Sequence, residues 1–199
     1  MKKTICIIAG IALLGLTSCK NENDKKEADD QEVTEVKTEK ITKTDASSDK
    51  NMVRFRLLPK SNSGATGRVS FKEKDGMVTF EAVINGLEPG MHAIHIHENA
   101  DCSAEDGTSA GGHWNPTFED HGKWGDTAGY HKGDIGNFEA NDQGQGTITM
   151  TTDQWCIGCG DEKKDILGKS IIVHQGADDF TSQPSGAAGA RVSCGGIIK

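Results

Sequence analysis

The residues best suited to chemistry concentrate in Gly90-Met91-His92-Ala93-Ile94-His95-Ile96-His97-Glu98, where three histidines fall within six positions. Ile and Met between the histidines read as strand rather than helix. Side chains two apart on a strand share a face, so His95 and His97 can converge on one point. His92, an odd number of positions from both, faces the other way. Two imidazoles on one strand face suit copper, zinc, nickel or iron, all of which accept nitrogen ligands. Taken alone, the pair is equally compatible with hydrogen-bonded core or surface histidines.

The chain has seven histidines, all between His92 and His174. His113 lies in Gly111-Gly112-His113-Trp114-Asn115-Pro116, His121 precedes Gly122, and His131 stands three residues before Asp134. Three imidazoles and one carboxylate make a complete four-coordinate zinc set. Subtracting them leaves His95, His97 and His174, with His113 free to serve either group. A deprotonated imidazole has two ligating nitrogens, so one histidine can bridge two metals.

Short strands must position these groups. Segments 52–58, 67–71 and 77–84 alternate apolar and polar residues, and Lys74-Asp75-Gly76 supplies a turn between the last two. Segments 135–140 and 146–151 are split by Asn141-Asp142-Gln143-Gly144, another hairpin signal, and 170–174 and 191–194 complete the set. About eight short strands with tight turns predict an all-β domain, an antiparallel sandwich or barrel. Two connections, 99–132 and 175–190, are long enough to be functional or held by metals or disulfides.

At this point the chain resembles the copper/zinc superoxide dismutases over nearly all of 51–199. The motifs that carry the resemblance are His95-Ile96-His97-Glu98, Ser109-Ala110-Gly111-Gly112-His113-Trp114-Asn115-Pro116, His131-Lys132-Gly133-Asp134-Ile135-Gly136-Asn137, Val173-His174-Gln175-Gly176-Ala177-Asp178-Asp179 and Gly189-Ala190-Arg191-Val192-Ser193-Cys194-Gly195. The resemblance implies an eight-stranded antiparallel Greek-key β-barrel with two long functional loops. It implies one copper per subunit on His95, His97, His113 and His174, and one zinc on His113, His121, His131 and Asp134. His92 matches a structural histidine. Asp178 matches a carboxylate linking His95 to His121, a partner that fixes ring orientation. Arg191 matches a guanidinium that guides the anionic substrate, superoxide, and His113 matches the histidine that hands a proton to product. The segment from Asp178 to Gly189 fits the family's substrate-guiding loop only loosely and carries no Lys, which leaves Lys123, Lys132 or Lys169 to supply positive charge. Loss of a copper ligand or of the arginine would favour a non-catalytic copper carrier of the same fold, and neither is lost.

The chain contains six cysteines. The resemblance pairs Cys102 with Cys194, tying the long loop to the last strand, a closure worth roughly 4–5 kcal/mol in the chain-entropy model. Cys156-Ile157-Gly158-Cys159 has no counterpart in the general family pattern. A small-loop disulfide is the first expectation, and a metal-acquisition or redox site is the sharper alternative.

The first residues read as a leader: Lys2 and Lys3, a short apolar run over 5–16, then Leu16-Thr17-Ser18-Cys19. A run this short is a secretory signal rather than a span. The closing residues resemble the lipobox of bacterial lipoproteins, which implies cleavage after residue 18 and lipidation of Cys19. Residues 20–50, rich in Lys, Glu, Asp, Thr and Ser without aromatics, predict a disordered tether reaching about 30 Å. The expected place is the cell envelope, lipid-anchored, with monomer or homodimer left open. The formal net charge of −8, without basic–aromatic clusters, argues against a nucleic-acid role. A zinc hydrolase would need an open zinc position, and the closed His₃Asp set argues against it.

Overall fold

The computed structural model describes residues 51–199. The leader, Cys19 and the tether lie outside the described residues. Eight strands form in chain order: β1 (Met52–Pro59), β2 (Thr66–Lys74), β3 (Met77–Asn85), β4 (Gly90–His97), β5 (Gly136–Ala140), β6 (Gly146–Thr152), β7 (Ser170–His174) and β8 (Arg191–Gly196). They close into an antiparallel barrel in the order β1-β2-β3-β6-β5-β4-β7-β8, so β3 pairs with β6 and β4 lies between β5 and β7. This crossing is a Greek key.

Alternation in the sequence sets which side chains fill the barrel. Val78, Phe80, Ala82 and Ile84 on β3 are wholly buried, and the residues between them are exposed. At Asp75 and Gly76 the backbone has positive φ (54° and 76°), the conformation a two-residue hairpin requires. The turn after β5 forms as its sequence predicts, with Asn141 Oδ1 accepting the N–H groups of Gln143 and Gln145. Beyond it, however, β5 and β6 share a single ladder pair, Ala140 with Gly146. β6 then pairs with β3 and β5 with β4, because barrel closure, not the turn, decides their partners.

β4 and β7 are buried on both faces. Ile94, Ile96, Ile171 and Val173 point into the barrel core. The outward faces are covered by the loops 98–135 and 175–190. Ile172 and Cys194 are neighbours across β7 and β8, and pack there with Ala110 and Cys102 of the first loop. A third long connection, 153–169, joins β6 to β7, where the sequence suggests only two long loops. Its anchor is Trp155, buried against Phe71, Phe80 and Trp124.

Candidate metal centre

Strand parity directs the histidines of β4. His95 and His97 project outward beneath the loops, and His92 shares the inward side of Ile94 and Ile96, near the ring of Phe138. His92 bonds the carbonyls of Glu88 (2.8 Å) and His174 (2.9 Å), so it supports the backbone of another histidine. His113 is brought alongside β4 by backbone: His97 and His113 form an antiparallel bridge, Trp114 N–H donates to Ile96 O (2.9 Å), and Ile96 N–H donates to Gly133 O (2.9 Å). A Cβ on Gly133 would overlap that Ile96 carbonyl, so only glycine lets the segment before Asp134 approach.

Two groups of four donors result, each with its ligand atoms within 4.8 Å of one another: His95, His97, His113 and His174, then His113, His121, His131 and Asp134. Every one of these residues is buried. The free nitrogens are selective. His95 Nε2 donates to Asp178 Oδ2 (2.8 Å) and His97 Nδ1 to Gly111 O (3.0 Å), which leaves His95 Nδ1 and His97 Nε2 without a hydrogen bond. His113 Nε2 and His174 Nε2 are likewise unpartnered. In the second group, His121 Nδ1 and His131 Nδ1 lie 3.0 and 3.3 Å from Asp134 oxygens without hydrogen-bond geometry. His113 Nδ1 lies 2.9 Å from Asp134 Oδ1. Leaving so many buried polar atoms unsatisfied is costly. Two ions would satisfy them, and the donor types fit; the opposite ring nitrogens of His95, His97, His121 and His174 already hold hydrogen bonds.

Burial, and then the neighbouring histidines, hold His97 and His174 well below the ordinary histidine range. Burial likewise lowers His95, and takes His113 down to about 4. The first group is therefore neutral imidazole, the form that ligates. Burial also opposes charge on His121, yet its contacts with Asp134 and Asp178 prevail and raise it to about 9. Burial would raise both carboxyls, but their histidine hydrogen bonds outweigh it and hold both well below the carboxylate range.

Asp178 links the two groups, taking His95 on Oδ2 and His121 on Oδ1 (2.9 Å). Residues to which the sequence reading gives no role hold it there. Asn137 Oδ1 accepts the Asp178 N–H (2.8 Å) and its Nδ2 donates to the Asp178 carbonyl (2.8 Å). Gln183 clamps the His121 backbone through both ends of its amide (2.9 Å each). Gly186, at φ 68°, lies so close that a Cβ would overlap Asp178 Oδ1 and crowd His121. No local spacing signals these three, because each acts across loops distant in sequence.

Arg191, at the start of β8, donates to Gly107 O and Gly111 O, both at 2.8 Å. Gly111 O is also the His97 acceptor, so the half-buried guanidinium stands beside the first group. Cys102–Cys194 is a disulfide, with Cα atoms 5.8 Å apart, and so is Cys156–Cys159. Two of the three lysines suggested for steering are engaged elsewhere. Lys132 bonds Gln154 and lies 5.6 Å above the Tyr130 ring, and Lys169 donates to Glu98 O (3.2 Å) beside Trp114. Lys123 makes no side-chain contact of this kind among the described residues.

Comparison with known proteins agrees with this geometry. Residues 65–197 match the family described as "Copper/zinc superoxide dismutase (SODC)". The chain is 34% identical over 139 residues to the superoxide dismutase-like protein YojM of Bacillus subtilis (strain 168), covering 67% of this chain and 70% of that protein. It is 35% identical over 125 residues to the copper chaperone for superoxide dismutase of Rattus norvegicus, covering 60% of this chain and 43% of the chaperone. A crystal structure of a double mutant of a superoxide dismutase-like protein from Bacillus subtilis superposes with a TM-score of 0.65 at 32% identity, over 73% of this chain and 97% of that one. A closed Greek-key barrel, two donor groups meeting at His113 and the matched span of sequence together place the chain in the copper/zinc superoxide dismutase family.

Proposed function

We propose that the protein is a superoxide dismutase, with copper on His95, His97, His113 and His174 and zinc on His113, His121, His131 and Asp134. The observation that carries the reading is His113, whose two ring nitrogens face two different four-donor groups. Bound copper supplies one-electron chemistry, so that one superoxide leaves as dioxygen and the next as hydrogen peroxide, while zinc supplies fixed charge without redox change. The chain's residues do the rest. His113 can hold a proton at Nε2 and hand it to product while Nδ1 stays directed at the second group. Asp178 keeps the His95 and His121 rings oriented. Arg191, always cationic and locked by two carbonyls, offers a small anion a docking point beside the first group. Loops 98–135 and 175–190 keep every donor residue buried from bulk water but for a few per cent of its surface.

The same reading extends to export, with a lipid on Cys19 holding the domain at the cell envelope; its support is the leader, Leu16-Thr17-Ser18-Cys19 and the charged tether. A second reading, a copper-binding carrier without turnover, draws on the name of the rat relative. The full donor set together with Arg191 favours the enzyme. The test is superoxide removal by the chain lacking its leader and carrying Cys19→Ser, loaded with copper and zinc or with zinc alone. Fast removal that requires copper is expected; tight binding of both metals without turnover would replace the enzyme with the carrier.

A further inference from the structure

The Cys156–Cys159 pair lies in the loop 153–169 and shares no residue with the histidine groups. With Asp165 it forms a third set of donors, all within 4.8 Å of one another. The turn is built tightly: Gly158 and Gly160 take positive φ (75° and 76°), and the Cys156 and Cys159 sulfurs meet across it. Backbone closes the loop behind them, with Cys156 N–H donating to Lys164 O (2.8 Å) and Ile166 N–H to Cys156 O (3.2 Å). Asp165 is aimed at the turn, accepting Gly158 N–H on Oδ1 and Gly160 N–H on Oδ2, both at 2.9 Å. Burial would raise its pKa, but these N–H groups, with that of Leu167, outweigh the effect and keep it anionic.

We propose that Cys156, Cys159 and Asp165 form a third metal site, closed while the cysteines are joined and opened to Zn(II) when they are reduced. The Cα atoms stand 6.0 Å apart, within the range for a disulfide. Two thiolates on one zinc at 2.3 Å each place their sulfurs roughly 3.8 Å apart, a change that side-chain rotation provides without moving the backbone. A carboxylate beside two thiolates gives a mixed sulfur–oxygen set that suits Zn(II), with water as the fourth ligand. The chemistry balances with a dithiol as reductant. Its thiolate attacks the exposed Cys159 sulfur, the S–S bond breaks with Cys156 as leaving group, and the second thiol closes the reductant to its own disulfide. Two thiols remain on the protein, and zinc binding then releases their protons.

The experiment uses the leaderless Cys19→Ser chain with its histidine groups first saturated with copper and zinc. One portion stays oxidised. The other is treated with a phosphine, which is oxidised to its oxide with oxygen from water, until thiol counting shows one disulfide opened. Equilibrium dialysis against Zn(II) should then find one zinc more per chain in the reduced portion. Co(II) in place of added zinc should give a thiolate charge-transfer band in the near ultraviolet only when reduced. Cys156→Ser with Cys159→Ser should abolish the extra zinc, and Asp165→Asn should weaken it about tenfold or more. Equal zinc in both portions, extra zinc that survives the double serine variant, or reduced protein without the cobalt band would overturn the site. An unaffected Asp165→Asn variant would overturn the carboxylate's part in it. Should the double variant fail to fold, the cobalt spectra of the unsubstituted chain decide. Because the readout is a difference between two redox states, it stands apart from which metals the histidine groups hold.

Discussion

His113 is the residue on which both centres depend, so its removal acts twice. His113→Ala is expected to lose most superoxide-removing activity and to loosen both metals, read together by activity and metal analysis; full activity with both metals retained would refute the bridge. In the proposed reaction Arg191 acts by charge at short range. Arg191→Glu should lower the rate at low salt far more than it lowers metal content, and should flatten or invert the salt dependence. An unchanged salt profile would remove the docking role. His121 gives a pH prediction for the metal-free protein. Its pKa is raised from the ordinary value to about 9 by Asp134 and Asp178 against the cost of burial. A raised histidine contributes stability that is complete below its unfolded pKa near 6.5 and is lost as pH rises through 9. The midpoint of thermal unfolding without metal should therefore fall between pH 6.5 and 9, and His121→Asn should remove that fall.

At the scale of elements, the strands supply rigidity and the loops supply most donors. Only His95, His97 and His174 sit on strands, at the outward positions of β4 and the end of β7. The rest of the site is loop held down by covalent and backbone ties. Cys102–Cys194 spans 92 residues and fixes the loop whose Gly107 and Gly111 carbonyls hold Arg191. Replacing both cysteines with serine should cost up to about 4–5 kcal/mol in denaturant unfolding, the loop-closure value. Activity per bound copper should fall as well, because the guanidinium loses its fixed acceptors; unaltered activity per copper would confine the disulfide to stability. The elements were largely legible beforehand. Alternation over β1 to β3 announced itself, since a half-buried strand must alternate. The thin β5–β6 pairing and the third long loop did not, since a turn signal states where the chain reverses but not how far two strands then stay together.

For the whole molecule, charge and attachment matter. The chain carries a net −8, yet its substrate in the proposed reaction is an anion. What steers such an ion is the local potential beside the first donor group, where Arg191 lies, rather than the total. Lys132 and Lys169 are engaged by Gln154 and the Glu98 carbonyl, which leaves Lys123 and Arg191 as the cations for that task in the proposed reaction. Attachment is tested separately: Cys19→Ser should release the exported protein from membranes into the soluble fraction, and continued membrane association would exclude the lipid anchor.

Sequence by itself determined the residue types, their parity on β4, the number of strands and the order of motifs that marks the family. Each depends on neighbours close along the chain, and local periodicity and turn chemistry are written in that order. The family resemblance already pointed to Asp178 as the link between His95 and His121, but only the tertiary structure decided which ring nitrogens remain free, with Gly111 O taking His97 Nδ1 and Asp178 taking His95 Nε2 and His121 Nε2. It also decided that Asn137, Gln183 and Gly186 brace Asp178 and His121, and that Asp165 faces Cys156 and Cys159. Those meetings come from closing the barrel and folding long loops onto β4 and β7, which joins residues by packing rather than by spacing.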